Sequence, residues 1–128
     1  WWDDHPSLFG GRDAEGGGTW LGVTRGGRVA VLTNNPHPTT PAFDATAAPS
    51  RGELPVDFLK DTEARTPMQY LEAVATHRES YNGFNLVVGD VNTGEFAYLG
   101  NRGAAAKRPP TLLAASAGIE DGPGGLGA

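Results

Sequence analysis

A chain of 128 residues is the size of one domain. Its net charge of −5, from 15 acidic against 10 basic residues with no basic run beyond the Lys107-Arg108 pair, excludes a nucleic-acid footprint, which needs a dense positive stripe. There is no cysteine, so disulfides, thiolate zinc sites and a cysteine nucleophile are excluded for this sequence, and no apolar run approaches the ~20 residues of a membrane helix.

No signal peptide stands at the start, and we expect a cytoplasmic protein. The first residue is Trp1 rather than Met, which points to a removed leading segment or a fragment. With 19 glycines and 10 prolines, turns and loops should be plentiful.

The stretch GRDAEGGGTWLGVT (11–24) sets an Arg12-Asp13 pair before consecutive glycines and Trp20. A phosphate-binding P-loop needs a Lys after its last glycine, and a dinucleotide loop follows a strand and opens a helix. Here the glycines precede a strand and no Lys follows, so they read as a flexible entry into it. TWLGVT (19–24) and RVAVLTN (28–34) are β-prone runs around Arg25-Gly26-Gly27, which predicts a hairpin. NPHPTTPAFDATAAPS (35–50) holds four prolines and no periodicity, and reads as a connecting loop.

Ser50 and Glu53 have capping-box spacing ahead of a short helix carrying Leu54, Val56, Phe58 and Leu59, in which Pro55 is awkward. The main helix is predicted over TPMQYLEAVATHRESYNG (66–83). Thr66 caps it, Pro67 starts it and Gln69 completes a capping box, with Tyr70, Val74, His77 and Tyr81 on one stripe and Asn82-Gly83 as the stop. FNLVVGD (84–90), the turn VNTG (91–94) and EFAYLGN (95–101) predict a second hairpin. From Ala104 onward the Ala, Gly and Pro content predicts a poorly ordered tail, 104–128. Hairpins separated by a helical block define an α+β fold with antiparallel sheet.

His5, His37 and His77 are not paired with another ligand at helical spacing, so no metal site and no cofactor is expected. Arg12-Asp13 suits a salt bridge or a ligand-holding pair. Asn34 and Asn101 end strands, where an amide can donate to a developing oxyanion or equally cap a turn.

WDDHPSLFGGRDAEGGGTWLGVTRGGRVAVLTN (2–34), SRGELPVDFL (50–59), YNGFNLVVGD (81–90) and YLGNRG (98–103) together resemble the NRDE family, also called the transport and Golgi organisation family. The resemblance covers roughly residues 1 to 103, so 1–103 reads as a partial family domain and the chain as an interior fragment. The family pattern starts Met-Cys and carries Asn-Arg-Asp-Glu upstream, and neither is present here. The resemblance implies an N-terminal-nucleophile-hydrolase-like sandwich, two antiparallel sheets between helix layers, incomplete in this chain. It implies that Arg12 and Asp13 lie near a pocket, that Asn34 is the best oxyanion candidate, and that Asn101 and Arg102 face the same site. Trp20 is then either a ligand-stacking residue or a core anchor, and its place after the glycines favours the core.

Two functions compete for the parent protein. One is an amide or acyl hydrolase, for which this chain lacks the nucleophile, leaving the chain itself inactive. The other is a non-catalytic carrier or trafficking factor for haem or an acyl lipid. The expected partner is a small acyl or amide ligand, or haem.

Overall fold

In the computed structural model, the described residues are 8–11, 19–35, 48–61 and 63–114. Six strands form one antiparallel sheet in chain order: β1 (Leu8–Gly10), β2 (Leu21–Thr24), β3 (Arg28–Asn34), β4 (Phe84–Asp90), β5 (Glu95–Gly100) and β6 (Thr111–Ala114). Two helices, α1 (Glu53–Leu59) and α2 (Pro67–Ala75), lie in sequence between β3 and β4. The expected α+β class with antiparallel sheet is therefore found.

Both expected hairpins form. Leu21 pairs with Val31 and Val23 with Val29 in the first, and Val88 pairs with Ala97 in the second. The first turns at Gly27, whose φ of 102° is open to glycine without a Cβ clash. Side chains alternate across a strand, so Ala30 and Leu32 share a face with Leu86 and Val88 of β4 and Ala97 and Leu99 of β5. That face is buried against Leu54, Phe58 and Leu59 of α1 and Tyr70, Leu71 and Val74 of α2. The opposite face carries Phe9 and Leu21, both exposed, and half-buried Val29, Val31 and Val87.

The helices differ from expectation in three places. Ser50 and Glu53 form no capping box: α1 begins after Gly52, and Ser50 Oγ accepts from the Gly52 N–H at 3.3 Å. Pro55 is accommodated because it falls in the first turn, where a backbone N–H has no helical partner to lose. The main helix has its expected Thr66–Gln69 capping box and Pro67 start but ends at Ala75, well short of 83. Thr76 Oγ1 donates to the Ala73 carbonyl at 2.7 Å, a local bond that competes with helix continuation. A short 3₁₀ turn, Arg78–Ser80, then leads to Tyr81.

β6 lies inside the stretch expected to be a poorly ordered tail. Its Leu112 pairs with Ala97 and its Thr111 with Tyr98, across an irregular register at Phe96 and Ala97. The Ala-rich composition hid a short edge strand that β5 templates through its open hydrogen-bonding side. Residues 115–128 of that tail lie outside the described residues.

Candidate ligand cavity at one end of the sheet

The start of β2, the end of β3, the start of β4 and the end of β5 meet at one end of the sheet. Here a cavity of about 460 Å³ opens between the sheet and the segment leading into α1. Its wall combines Trp20, Leu32, Ala48 and Pro49 with the polar Thr19, Asn34, Ser50, Arg51 and Asn82.

Asn34 owes its place to strand alternation. It follows Ala30 and Leu32 on the core face, and at the last position of β3 that face opens into the cavity. Its side-chain amide makes no hydrogen bond to a described residue. Trp20 is 55% exposed, so it is not the core anchor that its position after the glycines favoured. Its carbonyl accepts from the Leu32 N–H at 2.8 Å, and its ring lies against Gly11. The backbone is thus fixed to the sheet while the indole faces outward into the cavity wall. The preceding Thr19 takes the buried position instead, with its Oγ1 donating to the Leu21 carbonyl at 2.9 Å.

Asn101 is brought to the same end but is spent on structure. It is buried, its Oδ1 accepts from the Phe84 N–H at 2.8 Å, and its Nδ2 donates to the carbonyls of Arg78, Tyr81 and Asn82 at 2.9 to 3.2 Å. Every polar atom of the amide is engaged with backbone, which leaves no donor for an oxyanion. What Asn101 does is hold the 78–84 turn, and so Asn82, against the sheet. Arg102 is also buried, with NH1 on the Asn101 carbonyl at 3.0 Å and NH2 on the Tyr81 carbonyl at 2.8 Å. It borders a separate cavity of about 270 Å³ with Asn35, Tyr98 and Arg108. Gly83 lets these layers close up: a Cβ there would collide with the Asn35 carbonyl.

Of the residues singled out in the sequence, Trp20 and Asn34 therefore share one cavity, Asn101 braces it, and Arg102 faces its neighbour. Arg12, Asp13, His5, His37 and the glycines 16–18 lie outside the described residues. His77 is exposed and lines a third hollow of about 380 Å³ between α1 and α2, with Asp57, Tyr70 and Tyr81. Burial pushes the Asp57 carboxyl and the Tyr81 hydroxyl up from their ordinary values, the first against the pull of Lys60 and Arg65. Among the described residues, no group of three or more His, Asp or Glu side chains is placed to hold a metal ion.

Arg51 was missed as a site residue. By its spacing SRGE reads as a helix cap formed by Ser50 and Glu53, which gives Arg51 no role. No motif or spacing in the sequence marks Arg51, which joins Asn34 in one cavity wall only in the folded chain. Its NH1 donates to the Gly83 carbonyl at 2.8 Å, tying the α1 entry to the turn that Asn101 holds.

The structure so far defines an α+β protein with one helix-covered antiparallel sheet and a mixed polar and apolar cavity at the strand ends. The chain belongs to the TANGO2 (Transport and Golgi organisation 2) family, whose model matches residues 1–122. The match runs past Gly103, where the resemblance seen in the sequence stopped. The human transport and Golgi organization protein 2 homolog is 38% identical over 108 residues, covering 80% of this chain and 37% of the relative. The bovine homolog is 36% identical over 119 residues, covering 88% of this chain and 40% of the relative. The mouse homolog is 36% identical over 108 residues, with 80% and 37% covered. The chain thus spans about two fifths of the length of these curated relatives. No helix among the described residues is long and apolar enough to cross a membrane.

Proposed function

We propose that this part of the TANGO2-family protein binds a small acyl or amide molecule in the 460 Å³ cavity, in the cytoplasm, without itself turning it over. The cavity lies within the range of small-molecule pockets, roughly 300–1,000 Å³, and has their usual make-up of apolar walls with a few polar groups. The observation that carries this reading is the division of labour in the wall. Trp20, Leu32, Ala48 and Pro49 offer an apolar bed, and Asn34 offers an unspent amide. None of the described wall residues is a His, Asp, Glu or Lys, the usual groups for proton transfer in acyl chemistry.

A second reading has one specific support. An amide at a strand end with both donor and acceptor unspent suits oxyanion stabilisation in a longer family member that supplies its own nucleophile. The exposed apolar face of the sheet, with Phe9 and Leu21, supports the same picture, because a second sheet stacked there would complete the hydrolase-like sandwich. A haem or acyl-lipid carrier fits the binding reading equally, with Trp20 as the stacking surface.

Octanamide is a suitable neutral probe. Titrated into the 128-residue chain and followed by NMR, it should perturb the Trp20 indole and the Asn34 amide, with no release of octanoate. Asn34→Ala should weaken it severalfold while leaving the urea midpoint almost unchanged, as for a surface change within about 0.5 kcal/mol. Shifts confined to the α1/α2 hollow, or octanoate release lost in Asn34→Ala, would overturn the proposal.

A further inference from the structure

The cavity has one formal charge among its described wall residues, and no described acidic residue forms an ion pair with it. Arg51 lines the wall beside Asn34 and Trp20. It gives one N–H to the Gly83 carbonyl, and the ion pairs among the described residues, both made by Asp61, do not involve it. The rest of the guanidinium carries donors in a planar fork with no acceptor of its own. Such a fork matches a carboxylate, which it can grip through paired charge-assisted hydrogen bonds. Because Arg51 is only half-buried, it reaches the cavity without the full cost of burying an isolated charge.

The anchoring bond fixes the geometry. Gly83 belongs to the turn that Asn101 holds, so the NH1 bond pre-orients the guanidinium before any ligand arrives. The same wall carries Leu32 and Trp20, which cannot satisfy a charged group but can cover an alkyl or ring body. A charge and an apolar surface lining one cavity suit an amphipathic anion.

We propose that Arg51 is the specificity-determining residue of this cavity, selecting an apolar ligand that ends in a carboxylate over its neutral amide counterpart. This rests on the cavity being the ligand site and adds the charge of the ligand. Octanoate and octanamide differ in little but that charge, so they separate the two ideas. Wild-type chain should bind octanoate about tenfold more tightly than octanamide, by the conversion of one charge-assisted contact into affinity. Arg51→Gln should remove that preference, weakening octanoate about tenfold while octanamide is unchanged. Arg51→Lys, which keeps charge but loses the fork, should fall between. Rising salt should weaken octanoate alone in the wild type, a result that stands even where Arg51→Gln fails to fold. Equal binding of both probes by the wild type overturns the role of Arg51 and leaves the cavity reading intact. Equal weakening of both by Arg51→Gln does the same, by making Arg51 a structural strap. Failure of both probes to perturb the cavity overturns both proposals.

Discussion

The two ends of β3 lie about 20 Å apart along one strand, yet they treat polar groups in opposite ways. At the Arg28 end Arg28 and Asp61 both find internal partners. Arg28 NH1 donates to the Phe58 carbonyl at 3.1 Å, NH2 donates to the Arg65 carbonyl, and the guanidinium lies 4.3 Å from the Phe58 ring centre. Its neighbour Asp61 is held by Arg65 Nε at 3.1 Å, by the backbone of Glu63 and Arg65, and by Arg28 at 3.9 Å. At the Asn34 end the sheet leaves an amide, an indole and most of a guanidinium facing a cavity. A group whose partners are all internal contributes to the fold. A group placed firmly but left open is available to a ligand, and only the second end offers that.

This contrast predicts a separation of stability from binding. The largest effect should come from Arg28→Ala. It strips Asp61 of one cation, leaves two backbone carbonyls short of a donor and removes the contact with Phe58. The loss should be about 3 kcal/mol in urea melts, the low end for removing one partner of a buried pair, with octanamide affinity for the folded protein unchanged. A comparable fall in affinity would break the separation.

The next effect is a pH dependence confined to the closed end. Burial pushes the Asp61 carboxyl up, but the hydrogen bonds from the Arg65 side chain and from the backbone of Glu63 and Arg65, with the Arg65 charge, more than offset it and hold the carboxyl below its ordinary value. A carboxyl with a lowered folded value stabilises the fold above its ordinary pKa and loses that contribution as the pH falls through the folded value. Urea midpoints should therefore drop below about pH 4, and Asp61→Asn should be less stable at neutral pH with a shallower acid limb. An Asp61→Asn protein that keeps the full wild-type acid limb would assign the acid sensitivity to another group.

The smallest stability effect should come from the open end. Trp20→Ala removes a side chain that is 55% exposed, so its cost should stay within about 1 kcal/mol. A Trp buried in the core would cost ~3–5 kcal/mol. Octanamide affinity should nevertheless fall about tenfold, since the indole supplies much of the apolar wall. A large midpoint shift with retained affinity would restore the core-anchor reading and erase the contrast between the ends.

What the sequence by itself determined was local. Gly26-Gly27 between β-branched runs dictated the first hairpin, and Thr66, Pro67 and Gln69 dictated where α2 begins, because turn and cap chemistry depend only on near neighbours. Asn34 was legible as a strand-end amide for the same reason. Tertiary structure decided the rest. Whether an Asn is a donor or a brace depends on what surrounds it, and only the packing of the 78–84 turn onto β5 consumes the Asn101 amide. Trp20 is exposed and Thr19 buried because Thr19 N–H meets the Gly52 carbonyl at 3.3 Å, a contact with a segment far along the chain. β6 exists because β5 offers it an edge, whatever its own composition favours. Arg51 is a cavity residue only because residues 48–52 lie against the end of β3, a juxtaposition that no spacing in the sequence encodes.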